Sequence, residues 1–385
     1  MPGSPIDPLP SSTLPEGIRA RIIEGVNGLD MHILEAGDED GERPTVLLLH
    51  GFPDLAFCWR RVMPLLAAGG YHVIAPDQRG YGRTTPEPVA YDSNLAPYSI
   101  AVLATDMVAL VGVLNRKSVA AVIGHDFGSI VAGYCALARP DMFEKLILVG
   151  TPFGGAPALN APLRPSFLED PVHNALLRLP QPRKHYQLYY CGPDANHDMW
   201  RCPQGMKDFL RGYYHQKSAD WPHNNPQPLQ GWTAEELARM PHYYCMPAAL
   251  NMAQIAAASM PDSDQIADCR WLTDDDLATV AAEFERTGFQ GPLQWYRSAA
   301  SGVMQRNLAL FAGRQVDVPA LFVAGRVDWG AYQVPGSVDA VRHRLCKEPV
   351  PIHFIEDAGH WLQQEQPERL AEITMPFLDN QQDSI

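Results

Sequence analysis

The sequence predicts an α/β fold: a mostly parallel sheet with helices on both faces and an inserted helical cap. Three observations carry that reading. From Ile22 to Pro152, short apolar runs alternate with amphipathic stretches, the rhythm of strands joined by crossover helices. Within this stretch the run Val119 to Ile123 feeds directly into Gly124-His125-Asp126-Phe127-Gly128, a tight strand-to-helix turn that its glycines permit. From Phe153 to Val303 the strand rhythm stops, and it resumes near Pro319.

In chain order, Leu29 to Leu34, Val46 to Leu49, His72 to Ala75, Val119 to Ile123 and Leu146 to Val149 read as strands. Between them Ser99 to Leu114 and Ser129 to Ala138 have helical spacing. Ala320 to Ala324 and Pro351 to Ile355 then complete the sheet, and a helix follows around Glu368 to Leu378. The intervening segment has many prolines, no obvious strand run, and helical stretches such as Ala234 to Met240 and Asp274 to Arg286. It holds eight of the fourteen tyrosines and five of the eight tryptophans, so it reads as a lid whose aromatics pack it and line a ligand pocket. The expected division is a mobile N-terminal segment over 1–21, a core over 22–152 and 304–380, and a cap over 153–303.

At 385 residues the chain is long enough for a large core with a sizeable insertion. Its 46% apolar and 19% charged residues are those of a soluble globular protein, and a net charge of −14 argues against nucleic acid or an anionic membrane as partner. The Pro- and Ser-rich stretch from Met1 to Pro15 lacks the apolar block of a signal peptide, and no run reaches the length of a membrane span. Seven scattered cysteines suit free thiols in the reducing cytoplasm. Cys191 and Cys202 lie too far apart for a zinc knuckle and there is no His-Glu-x-x-His, so neither metal nor other cofactor is expected. The expected partners are one small molecule and water, with a homodimer allowed.

The turn at Gly124 to Gly128 has the form of a nucleophile elbow with a carboxylate at its apex. A carboxylate suits displacement at saturated carbon, giving an alkyl ester on Asp126. Hydrolysis of that ester requires an oxyanion hole, for which the Phe127 N–H is one donor and Phe52, in His50-Gly51-Phe52-Pro53 after an early strand, the other. It also requires a base. His360, in Gly359-His360-Trp361 after the last strand, has that position, and Asp328, just past Val323 and ahead of the histidine, has the position of its orienting acid. No Gly-x-Ser-x-Gly occurs and Ser129 is out of frame, which excludes a serine hydrolase. An epoxide as substrate needs a proton donor for the opening oxygen; a halide needs N–H donors. Tyr186-Gln187-Leu188-Tyr189-Tyr190 and Trp295-Tyr296-Arg297 offer neutral phenols from two distant segments, though each tyrosine alone fits packing better than catalysis. Pro53, Tyr190, Trp295 and Trp361 are the expected pocket walls.

These motifs, in this order from about Ile22 to Leu378, resemble the epoxide hydrolases of the α/β-hydrolase fold. The resemblance implies Asp126 as nucleophile, His360 as base, Asp328 as its partner, Tyr186 and Tyr296 as the acids that bind the epoxide, and an apolar epoxide as substrate. Two departures stand out. Phe127 occupies the place where the family more often has Trp, whose indole N–H a dehalogenase uses to grip halide; fluoroacetate-type dehalogenases place Arg there. The segment from Asn196 to Pro261 lengthens the cap and brings rival phenols in His242-Tyr243-Tyr244. The alternatives are a haloalkane or haloacid dehalogenase using the same Asp126, a tailoring hydrolase for one specialised metabolite, and a non-hydrolytic binder on the same fold.

Overall fold

The computed structural model describes residues 6–37, 41, 43–160, 166–302 and 307–379. Its centre is an eight-stranded sheet in the order β1-β2-β4-β3-β5-β6-β9-β10. The strands are β1 (Ile18–Val26), β2 (Leu29–Ala36), β3 (Thr45–Leu49), β4 (His72–Pro76), β5 (Ala121–His125), β6 (Leu146–Val149), β9 (Ala320–Gly325) and β10 (Ile352–Ile355). β1 and β2 form an antiparallel hairpin and β2 lies antiparallel to β4; every pairing from β4 through β3, β5, β6 and β9 to β10 is parallel. β3 to β6 are buried along their whole length, which is why they read as continuous apolar runs rather than alternating ones. Helices Ile100–Val113 and Phe127–Ala138 pack together over the sheet, and Met63–Ala68 packs with Pro367–Leu378.

The sheet starts four residues earlier than the expected core boundary at residue 22. β1 begins at Ile18, inside the stretch read as a mobile tail, and upstream of it Leu9 is buried with its N–H on His32 Nε2 at 3.3 Å. Pro and Ser enrichment concealed a strand whose partner, β2, supplies the burial. The expected boundary at 303/304, and residues 1–5 and 380, lie outside the described residues.

Between β6 and β9 lies a helical insertion, running from Val172–Leu177 to Gln290–Ala300. It is not free of strands: β7 (Arg183–His185) and β8 (Cys245–Pro247) pair antiparallel. Three residues each are too few to show a period of two in the sequence. Helix Asp274–Thr287 shows how local chemistry sets an element. Thr273 and Asp276 form a capping box, three Asp fill the first turn, Arg286 sits in the last, and Gly288 ends it at φ +65°. It docks on the core through Arg60–Asp276 and Arg83–Glu283, each at 2.8 Å. That docking orients the next helix, Gln290–Ala300, which carries Tyr296. Among the described residues no helix is long and apolar enough to cross a membrane.

Candidate active site

The strand order reverses between β3 and β5: β3 leads outward to β4, and the chain returns to the other side of β3 to form β5. The carboxyl ends of strands at such a reversal open a crevice where ligands bind. Phe52 follows β3 and Asp126 follows β5, so the topology places both at that crevice. Asp126 has φ +53° and ψ −123°, a strained conformation for a residue with a Cβ, held by its own N–H on Val149 O at 3.1 Å. The strain requires close packing around it. A Cβ at Gly124 would lie 2.2 Å from Gly128 O, and one at Gly128 would lie 2.4 Å from Leu49 O. Ser129, beside the elbow, is a structural brace: its hydroxyl donates to Gly124 O at 2.5 Å.

Asp126 Oδ1 accepts the Phe52 N–H at 2.9 Å. The Phe127 N–H opens the helix Phe127–Ala138, where it has no intrahelical acceptor. Asp126 Oδ2 lies 3.4 Å from His360 Nε2, without the alignment of a hydrogen bond. On the other side of the ring, Nδ1 lies 3.1 and 3.2 Å from the two Asp328 oxygens, and Asp328 is fixed by the Gly330 N–H at 2.6 Å. His360 is also held by its backbone: its N–H donates to Lys217 O at 2.9 Å and its carbonyl faces His125 Nε2 at 2.8 Å. Gln363 Nε2 lies 3.2 Å from His125 Nδ1, so a neutral His125 with its proton on Nε2 satisfies both contacts. Burial keeps His125 neutral, pushing its pKa down to about 3.

Electrostatics couple these groups. Burial alone would raise the Asp126 pKa, but His360 holds it well below the usual carboxylate range. Burial alone would lower that of His360, yet the charge of Asp328 and the contact with Asp126 raise it to about 9. Asp54, two residues beyond Phe52, is buried against Tyr214 (2.6 Å), and burial pushes its carboxyl up to about 7.

An aromatic roof from the insertion closes over Asp126. The Phe52 ring packs on Tyr190 (5.1 Å), Tyr296 (5.6 Å) and Tyr213 (6.2 Å), and the Tyr186 and Tyr296 rings meet at 6.2 Å. Burial and the Asp126 charge raise both Tyr186 and Tyr296 above the ordinary phenol value, so both stay un-ionised. The two differ in commitment. The Tyr186 hydroxyl donates to Gln333 Oε1 at 3.0 Å, whereas the Tyr296 hydroxyl has no partner among the described residues. Of the rival phenols, Tyr243 is spent on Asn224 at 2.6 Å, and Tyr244 lies 5.1 Å from the Tyr186 ring.

The structure thus brings Asp126, His360, Asp328, Tyr186, Tyr296, Phe52 and Phe127 to one place. The four expected pocket walls are disposed less simply. The Pro53 carbonyl faces the Tyr214 hydroxyl at 3.4 Å, and the Tyr190 hydroxyl is paired with that of Tyr213 at 2.9 Å. Trp295 is fully buried against the Phe127 ring, with its indole N–H on Arg79 O at 2.8 Å. Trp361 is fully buried against the His360 ring at 4.6 Å, its N–H on Tyr214 O. Neither indole N–H is free to hold an anion. Sequence reasoning missed Asp54, Tyr213, Gln333 and Lys217; Asp54 alone had a signal, following directly on His50-Gly51-Phe52-Pro53.

A doubly covered parallel sheet with an acid, a histidine and a second acid at its carboxyl edge defines an α/β-hydrolase, and residues 44–186 match the family model for the alpha/beta hydrolase fold. Within that class the chain is 30% identical to epoxide hydrolase B of Mycobacterium tuberculosis, over 91% of this chain and 96% of that one. It is 29% identical to epoxide hydrolase 3 of Siraitia grosvenorii, over 92% and 96%. Among solved structures it superposes on an epoxide hydrolase from an endophytic Streptomyces with a TM-score of 0.73 at 28% identity, over 96% and 98%. The potato (Solanum tuberosum) epoxide hydrolase I gives a TM-score of 0.69 at 27% identity, over 94% and 99%. The chain belongs to the epoxide hydrolase family of the α/β-hydrolase fold.

Proposed function

We propose that this chain opens epoxides to vicinal diols through an alkyl ester on Asp126. The observation that carries the reading is an ionised carboxylate facing two un-ionised phenols, one of them with an uncommitted hydroxyl. Asp126 Oδ2 attacks a ring carbon, the carbon–oxygen bond breaks, and the oxygen takes its proton from Tyr296, with Tyr186 as the second donor. Oδ1, already on the Phe52 N–H, becomes the ester carbonyl oxygen. With its own proton passed to the Tyr296 phenolate, His360 Nε2 takes a proton from water as it attacks the ester carbon, the Phe52 and Phe127 N–H groups hold the oxyanion, and collapse sends the new hydroxyl's proton to the departing alkoxide, releasing the diol and the Asp126 carboxylate. Asp328 holds His360 in place and balances its cation.

The helical insertion serves as the lid over this centre, and the aromatic roof suits an apolar epoxide. Seven unpaired cysteines, five of them buried, support a cytoplasmic setting. Homodimer formation stays in the reading and is decided by light scattering.

Wild type and Asp126→Asn incubated with aryl and alkyl epoxides and matched haloalkanes, with diol and halide read together, test the proposal. Diol from wild type, with turnover lowered at least ~10³-fold in Asp126→Asn, is the expected outcome. Full turnover by Asp126→Asn without deamidation would overturn it. Halide release without diol would move the chain to the dehalogenases.

A further inference from the structure

Lys217 has no role in the chemistry above, yet it sits at its edge. It follows helix Met206–His215, where the insertion meets the histidine loop. Its carbonyl holds the His360 N–H, and two residues on, the Ala219 N–H donates to Glu365, which also takes the Gly359 and Trp361 N–H groups. The Lys217 side chain is buried, the residue being 4% exposed. Nζ lies 4.6 Å from the Tyr244 ring centroid, 5.0 Å from Tyr213, 5.6 Å from Tyr243 and 5.9 Å from Trp361.

Those rings are continuous with the ones over Asp126. Tyr213 packs on Phe52, Tyr244 on Tyr186, and Trp361 on His360. Aromatic faces favour a cation but accept none of its three N–H bonds well. Among the described residues no carboxylate, carbonyl or hydroxyl accepts a bond from Nζ or pairs with it. Nζ is not one of the fully sealed unpaired polar atoms, so a small accessible face remains through which an oxygen acceptor of a ligand can reach its donors.

We propose that Lys217 is an anion-binding residue of the substrate site, and that the epoxide it serves carries a carboxylate a few bonds from the oxirane ring. The proposal rests on the Asp126 chemistry above. The groups that face the ammonium are the four cage rings and, at longer range, the His360 cation and the carboxylates of Asp126, Asp328 and Asp54; burial lowers its pKa to about 8 despite the pull of those carboxylates.

The test compares kcat/KM for 3-phenylglycidate and its amide in wild type, Lys217→Arg and Lys217→Met, with styrene oxide as the uncharged control on wild type. Calorimetric binding of phenylacetate and phenylacetamide runs in parallel and needs no turnover. Wild type should prefer the carboxylate at least ~10-fold, worth about 1.4 kcal/mol, and the preference should fade as pH rises through about 8. Arg should retain part of it, and Met should bring the ratio to one or below. A wild-type ratio near one, or a preference that survives in Lys217→Met, overturns the proposal. If the methionine variant fails to fold, the wild-type ratio and its pH dependence decide. No diol from any epoxide, with phenylacetate binding still dependent on Lys217, would sink the epoxide reading and leave the anion site standing.

Discussion

At the scale of the residue, the two phenols over Asp126 are unequal, and their hydrogen bonds say how. Tyr186 already donates its hydroxyl proton to Gln333 at 3.0 Å and accepts from Gln187 at 3.1 Å. Tyr296 has no such commitment among the described residues, and its ring stands perpendicular to Phe52, whose N–H donates to Asp126. On the proposed mechanism, proton donation to an opening epoxide therefore falls mainly to Tyr296. Tyr296→Phe should lower kcat/KM by ~10² or more, in the range of a lost general acid, and Tyr186→Phe by only ~10. Steady-state kinetics on one aryl epoxide measures both; a larger loss at Tyr186 would reverse the assignment. Tyr243 and Tyr244 should matter less as proton donors, since the Tyr243 hydroxyl is bonded to Asn224 and Tyr244 packs behind the Tyr186 ring.

At the scale of the element, the elbow works because β3, β5 and helix Phe127–Ala138 approach at backbone distance. A Cβ at Gly128 would fall 2.4 Å from Leu49 O and 2.5 Å from His50 O, atoms of β3 and its following turn that cannot yield cheaply. Gly112, near the end of helix Ile100–Val113, meets nothing within 4 Å. Gly128→Ala should cost about 3 kcal/mol or more and displace Asp126 from Phe52, whereas Gly112→Ala should stabilise by about 0.5–1 kcal/mol. Denaturant unfolding of both variants checks the pair, and equal effects would refute the packing argument. The same elements explain what the sequence disclosed. Strands β3 to β6 were legible because burial on both faces makes them apolar runs, and the site acids were legible because glycines and strand ends mark their positions. β1 was hidden by its Pro- and Ser-rich approach, and β7 and β8 by their length. Tyr213 and Lys217 were hidden for another reason: what they do depends on burial and on tertiary neighbours such as Phe52 and Trp361, which no local motif encodes.

At the scale of the whole molecule, the site leaves its mark on stability as a function of pH. His360 is fully buried between Asp126 and Asp328, and its folded pKa of about 9 lies above the ordinary value of 6.5. The folded state therefore binds a proton that the unfolded state gives up between those two values. Its stabilisation is complete below pH 6.5 and is lost as pH rises through about 9. His125 and His185 run the other way. Burial lowers both to about 3, so their stabilisation is complete above pH 6.5 and declines as pH falls below it. The difference in unfolding free energy between wild type and His360→Asn carries the first effect, because groups remote from His360 contribute equally to both. That difference should shrink by about 2–3 kcal/mol between pH 6.5 and 9. A flat difference would mean that His360 is neutral in the free protein. The distinction has a chemical consequence. In the proposed reaction, esterification of Asp126 removes one of the two carboxylates that raise His360 and so lowers its pKa, and the first step prepares the second without any movement of the fold.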